Sequence, residues 1–357
     1  MSTRGALFKT RGGLLVATTH ELCTALLRDP RFGHGSDPLN TRDPGQPVES
    51  FLWMDPPDHT RLRALVSRAF TPRMLERLRP RIEAIAAELI AELPDEADLV
   101  SGFAHPLPVM VISEMLGVPP EDRVRFGDWS ETLARSLDPM LTDELISETG
   151  RARREFRDYF RGLVALRRER PGDDLLSALA RVGELTEAEL LATCVLLLVA
   201  GHETTVNLIG NGALHLAGHG LLPWAAERPR QVVEEVLRYD PPVQLTSRNA
   251  LEDTELGGVR VPKGTPVLGV IGAANRDPAV FPDPGRFDVT RDPGRHLAFG
   301  LGIHFCLGAT LARMEGEIAL SALATAAPGL ELADPAPPYK ANVVLRGLAR
   351  LPVRLKR

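Results

Sequence analysis

The chain has 357 residues, a formal net charge of −5, 44% hydrophobic residues and only 5% aromatic ones. That apolar share builds a substantial core packed mainly by Leu, Val and Ala, and the length fits one large unit or two ordinary domains. The acidic balance argues against a nucleic-acid partner, which requires a basic face, and three cysteines, Cys23, Cys194 and Cys306, none in CxxC spacing, indicate neither a disulfide framework nor a zinc finger. A reducing cytoplasm is therefore the expected compartment.

In chain order, β-like segments at about 6–9 and 14–17 precede a helix at about 21–28, which Asp29-Pro30 stops. The start of the chain lacks the apolar run of a signal peptide. A loop rich in Gly, Pro and Asp follows from about 33 to 57. Helical periodicity over about 58–92 breaks once, at Thr71-Pro72, the pattern of an N-cap followed by a proline at the first helical position. Arg61, Arg63, Arg68, Arg73, Arg77, Arg79 and Arg81 crowd this span, opposed mainly by Glu76. It reads either as a solvated helix face or as a docking surface for an acidic protein.

An apolar segment over 108–116 ends at Gly117, and further helices are expected near 121–135 and 143–170. Thr186-x-x-Glu189 matches a capping box and opens a helix to about residue 216, roughly 45 Å long at 1.5 Å per residue. Its most apolar part, about 190–201, is too short to span a bilayer and is flanked by Glu189 and Glu203, so no membrane insertion is expected. Beyond a helix ending near Tyr239, strand signals at about 243–249, 259–261 and 266–270 alternate with Gly-rich turns. A Pro- and Asp-rich coil over about 275–295, a helix over about 306–326 and strand character around 343–345 complete the chain.

The chemistry concentrates in Phe299-Gly-Leu-Gly-Ile-His-Phe-Cys306-Leu-Gly308, a glycine-rich loop that delivers one cysteine to the start of a predicted helix. Helix N-termini favour an anionic sulfur. Gly300 and Gly302 allow tight turns, and Gly308 clears space for a flat cofactor. In Ala200-Gly-His-Glu-Thr-Thr205 the threonines can bond back to the helix carbonyls, which predicts a local bulge. Gly201 would there pass close over a ligand, and Glu203 beside Thr204 could relay protons.

The cysteine loop resembles the haem-binding loop of the bacterial cytochrome P450 family, and its six fixed positions should coincide by chance in only on the order of one chain in a hundred thousand of this length. The resemblance implies that Cys306 is the axial thiolate on the iron of haem b, with Glu203 and Thr204 as the proton relay. Glu235-Val-Leu-Arg238 is similar to the family's Glu-x-x-Arg signature, with Arg286 of Pro284-Gly-Arg-Phe-Asp288 matching its third partner. His59 and Arg63, four apart on one predicted helix, match a segment that holds haem propionates, as do Arg248 and His304.

The same resemblance implies a mainly α protein with small β-sheets, a long central helix over the haem and the cysteine loop beneath it. It would form a single domain over 1–357, with β-rich portions at about 1–20 and 243–271 and no fused reductase. The implied activity is monooxygenation, hydroxylating or epoxidising a small organic substrate as in bacterial secondary metabolism. Leu196, Val199 and Ala200 are expected to face that substrate, and electrons to come from NAD(P)H through a reductase and a ferredoxin docking near residues 61–81. Peroxide-driven oxidation, oxidative coupling or dehydration at the same haem, or a non-catalytic haem protein, remain as alternatives. Three departures from the family pattern stand out: a short N-terminus, a compact loop between Phe32 and Met54, and Gly218-His-Gly220 where a regular helix is expected.

Overall fold

The structure, a computed structural model, describes residues 6–35, 50–138, 142–292 and 294–357. Most of the N-terminus and of the compact 32–54 loop lies outside the described residues or at their edges. The elements run β1 (Leu7–Lys9), β2 (Leu15–Ala17), α1 (His20–Arg28), β3 (Phe32–Gly33), α2 (Asp58–Ala69), α3 (Pro72–Glu92), β4 (Glu96–Asp98), α4 (Pro106–Met115), α5 (Arg123–Arg135), α6 (Asp143–Glu169) and α7 (Leu175–Ala180). They continue with α8 (Glu187–Gly218), α9 (Pro223–Glu227), α10 (Pro229–Tyr239), β5 (Leu245–Ala250), β6 (Thr254–Leu256), β7 (Val259–Val261), β8 (Pro266–Val270), α11 (Ile271–Ala274), α12 (Ala309–Ala326), β9 (Glu331–Leu332) and β10 (Pro352–Arg354).

Local chemistry sets the helix starts. Thr71 Oγ1 accepts the Met74 N–H at 3.2 Å with Pro72 at the first helical position. Thr186 and Glu189 close the reciprocal box that opens α8: the Glu189 N–H reaches Thr186 Oγ1 at 3.2 Å and the Thr186 N–H reaches Glu189 Oε2 at 2.9 Å. α8 is the one described helix long and apolar enough to cross a membrane, but 67% of its most apolar window is buried inside the protein, against α4, α5, α10 and α12. It is the interior axis of the fold.

A large core runs through the helical part, and a smaller one, including Leu22, Leu26, Phe32, Val267 and Ile271, lies under a sheet ordered β1-β2-β8-β5-β3. In that sheet β2 pairs parallel with β8, and β3 pairs antiparallel with β5, placing Gly33 opposite Asn249. The N-terminal strands and the 245–270 region thus form one surface, a pairing across more than two hundred residues that no local pattern announces. The expected strand at 343–345 contributes only an isolated bridge between Val243 and Leu345, while β4, β9 and β10 make a sheet the sequence did not reveal.

Candidate active site

The cysteine loop leaves the coil after α11 and is built on its glycines. Gly300 and Gly302 adopt φ of 66° and 69°, and a Cβ on Gly302 would collide with the Leu27 carbonyl oxygen, so only glycine fits there. The Cys306 N–H reaches the Phe299 carbonyl at 2.9 Å, folding the loop back on itself. α12 starts at Ala309, so Cys306 sits just ahead of the helix rather than in its first turn as expected. Burial pushes its thiol up, offset in part by the Gly308 N–H, Arg63 and Arg313. Gly308 has an ordinary φ of −84°, and an added Cβ would lie an ordinary 4.0 Å from the Cys306 sulfur, so neither backbone strain nor neighbouring protein requires glycine there.

Around the loop gathers a cluster of imidazoles and guanidiniums. The rings of His59 and His304 lie 4.3 Å apart and those of His34 and His304 4.8 Å apart, edge on. Arg248, 7% exposed, spends its Nη1 donor on Ser247 O at 2.7 Å and Thr246 Oγ1 at 3.3 Å, and among the described residues no carboxylate forms an ion pair with it. Burial lowers its pKa to about 10. Arg63 reaches across from α2 to the carbonyl of Phe305. Both ring nitrogens of His34 and of His59, and Nε2 of His304, are buried without a partner. Burial, followed by the nearby cations, pushes His34 and His304 down to about 3 and lowers His59 as well, so all three rings are neutral donors. Buried polar groups are almost always paired. Two arginines and several unpaired imidazole donors beside one cysteine fit a dianionic, iron-bearing cofactor such as haem.

A second polar network holds the chain that leads into the loop. Arg238 Nε and Nη2 each reach a Glu235 oxygen at 2.7 Å, and both residues are at most 2% exposed. Nη1 and Nη2 also donate to the carbonyls of Asn275, Pro284 and Arg286 at 3.0–3.1 Å, and Glu235 accepts the Asp288 N–H at 2.8 Å. The third partner of the pair is Arg291, whose Nε lies 3.7 Å from Glu235. This corrects the assignment of Arg286, which gives only its main-chain oxygen while its side chain is exposed. Beside it, burial would raise the Glu234 carboxyl, but His296 at 3.0 Å and Arg313 at 2.5 Å hold it down to about 2. Asn275 ties the network forward by accepting the Leu297 N–H at 2.7 Å, two residues before the loop.

On α8 the helix is continuous where a bulge was expected. Thr204 Oγ1 donates to Ala200 O at 2.7 Å and Thr205 Oγ1 to Gly201 O at 3.0 Å, so the back-bonding forms without breaking the helix. Leu196, Ala200 and Thr204, four apart, keep accessible surface in the middle of an otherwise interior helix and define its open stripe. Val199 is 9% exposed and packs in the large core, against which Leu196 also lies. A Cβ on Gly201 would find Ile112 at an ordinary 3.8 Å, so neighbouring protein does not by itself require glycine there. Glu203 is buried, and Oε1 is held by Lys340 Nζ at 2.7 Å; Glu203 and Thr204 share no hydrogen bond. The arginine-rich span is also less free than its sequence implies. Arg61 pairs with Glu189, Arg68 with Glu184 at 3.4 Å, Arg77 with Asp173 at 2.8 Å and Arg81 with Glu114 at 2.9 Å, acids brought in from other helices and from the loops on either side of α7. His34, Lys340 and Arg291 were not visible in the sequence because none has a fixed spacing to its partners; only Asp288-x-x-Arg291, next to the matched motif, hinted at one of them.

Fold and site together define a haem-thiolate protein. A family model described as Cytochrome P450 matches residues 230–324, which contain the Glu235–Arg238 clamp and the cysteine loop. The chain is 48% identical over 84% of its length to 6-deoxyerythronolide B hydroxylase of Saccharopolyspora erythraea, covering 76% of that protein, and 43% identical over 95% of its length to the cytochrome P450 monooxygenase PikC of Streptomyces venezuelae, covering 84% of it. Among solved structures, P450BioI, in complex with an acyl carrier protein bearing hexadec-9Z-enoic acid, superposes with a TM-score of 0.92 at 37% identity over 98% of this chain and 95% of that one. The chain belongs to the cytochrome P450 family. It is a monooxygenase with a haem cofactor.

Proposed function

We propose that this protein hydroxylates an aliphatic position on a polyketide-type molecule in bacterial secondary metabolism, with Cys306 as the axial ligand of its haem. The observation carrying the site assignment is the convergence, on the loop that presents Cys306, of the unpartnered ring nitrogens of His59, the unpartnered Nε2 of His304 and the buried Arg248, which has no carboxylate partner among the described residues. The names of 6-deoxyerythronolide B hydroxylase and of the polyketide biosynthesis P450 PksS, and the aliphatic stripe of Leu196 and Ala200, support the substrate class.

His59, Arg63, Arg248 and His304 would hold the haem carboxylates, and Gly308 N–H and Arg313 would steady the Cys306 sulfur. When bound, haem supplies the thiolate-ligated iron at which dioxygen is activated. Thr204 Oγ1, on the open stripe, would pass protons inward, while Lys340 Nζ donates to Glu203 Oε1 at 2.7 Å one residue behind it. Glu203 therefore serves the relay from the helix flank, not by direct contact with Thr204. Electrons would come from NAD(P)H through separate reductase and ferredoxin proteins in the cytoplasm, with Arg73 and the exposed Arg77–Asp173 pair on the docking face rather than the whole arginine-rich span.

Reduced with dithionite under carbon monoxide, the protein is expected to show the strongly red-shifted Soret band of a carbonyl trans to thiolate. Cys306→Ser is expected to abolish that band while the apoprotein keeps its melting temperature. A wild-type band at the position of imidazole or thiol ligation would refute the assignment.

A further inference from the structure

We propose that His34 is an additional donor to the haem carboxylates, a residue that completes the seat formed by His59, Arg63, Arg248 and His304. The inference rests on that seat, and concerns a residue for which the sequence offers no motif.

His34 follows directly on β3, whose pairing with β5 sets it beside the strand that carries Arg248. Its backbone is fixed at three points. The His34 N–H reaches the two Asp55 oxygens at 2.9 and 3.1 Å, the neighbouring Gly35 N–H reaches Asp55 at 2.6 Å, and the His34 carbonyl accepts Asn249 Nδ2 at 2.9 Å. A Cβ on Gly33 would run into the Asp55 carboxylate, so the preceding glycine is what lets that clamp close. With the main chain held this way, the imidazole is wedged edge-on between Trp53, at 5.3 Å, and His304.

The ring is 4% exposed, yet neither of its nitrogens has a partner. An amide or hydroxyl left in that state forfeits its hydrogen bonds to water with nothing in return, and an imidazole is no different. A packing role would be served as well by Phe or Leu. What a clamped, neutral imidazole adds is one N–H beside a guanidinium and two other imidazoles, the equipment for a carboxylate acceptor. Since hydrogen bonds to charged groups are among the stronger ones, loss of this donor should loosen the cofactor without touching the thiolate.

The test uses holoenzyme and measures the rate at which haem transfers to excess apomyoglobin. His34→Ala is expected to lose haem about tenfold faster than wild type, the loss of one charge-assisted hydrogen bond. His34→Gln, which keeps a donor, should recover most of the difference, with the thiolate-type carbonyl band unchanged in both. Equal transfer rates in His34→Ala and wild type would overturn the proposal. So would a parallel fall in apoprotein melting temperature in both variants with no rescue by Gln, since that marks a packing residue. If wild type itself carries no thiolate-ligated haem, the seat and this inference fall together, and the carbonyl band reports that failure separately.

Discussion

Arg238 and Arg248 are buried to a similar degree, 1% and 7% exposed, but stand in opposite environments. Around Arg238 the charges are matched: two bonds to Glu235, three to main-chain carbonyls and a second guanidinium from Arg291. Around Arg248 there is no carboxylate partner among the described residues, and the adjoining imidazoles carry unpaired nitrogens. A buried ion that is fully hydrogen-bonded belongs to the scaffold, whereas one that is left short belongs to a ligand. The first region reaches the chain just ahead of the cysteine loop through Asn275 and Leu297, and the second meets the loop at His304.

The sharpest way to break this contrast is to remove each arginine in turn and measure the apoprotein in urea. Arg238→Ala leaves Glu235 as a buried carboxylate held only by the Asp288 N–H and the more distant Arg291, and should lower stability by about 3–5 kcal/mol. Arg248→Met removes a buried cation without an ion-pair partner, and should leave apoprotein stability within about 1 kcal/mol of wild type, on the stabilising side, while weakening haem binding by roughly tenfold or more. If both substitutions destabilise the apoprotein alike, the distinction between clamp and seat is wrong.

A smaller effect sharpens the same contrast through pH. His34 is faced by Arg248, His59, His304 and Asp55, and its folded pKa of about 3 lies below its ordinary 6.5, chiefly through burial and then through the charge of Arg248. The unfolded chain therefore binds a proton that the folded chain refuses, so the apoprotein loses stability as pH falls from 6.5 toward 3. His34→Gln removes that titration and should flatten the stability curve over this window. Identical slopes for the two proteins would show that His34 is not held neutral.

Much of this molecule was legible without coordinates. Thr71-Pro72 and Thr186-x-x-Glu189 set helix starts because capping is a matter of three or four consecutive residues. The cysteine loop was equally plain, since Gly302 must adopt positive φ and its spacing to Cys306 is fixed along the chain. Local chemistry also misled. The Thr204-Thr205 pair promised a bulge, but the core packed around α8 keeps the helix regular and the hydroxyls bond back within it.

What the sequence determined by itself is the class of chemistry: a loop that can present one cysteine to iron, a long capped helix and a Glu-x-x-Arg pair. What only the tertiary structure decided is who partners whom. Arg291 rather than Arg286 completes the clamp, Lys340 holds Glu203 from 137 residues away, and His34 joins His59 and His304 because β3 pairs with β5. Helix caps and glycine turns depend on near neighbours in the chain, but charge pairing and burial depend on distance in space, and no local pattern encodes that.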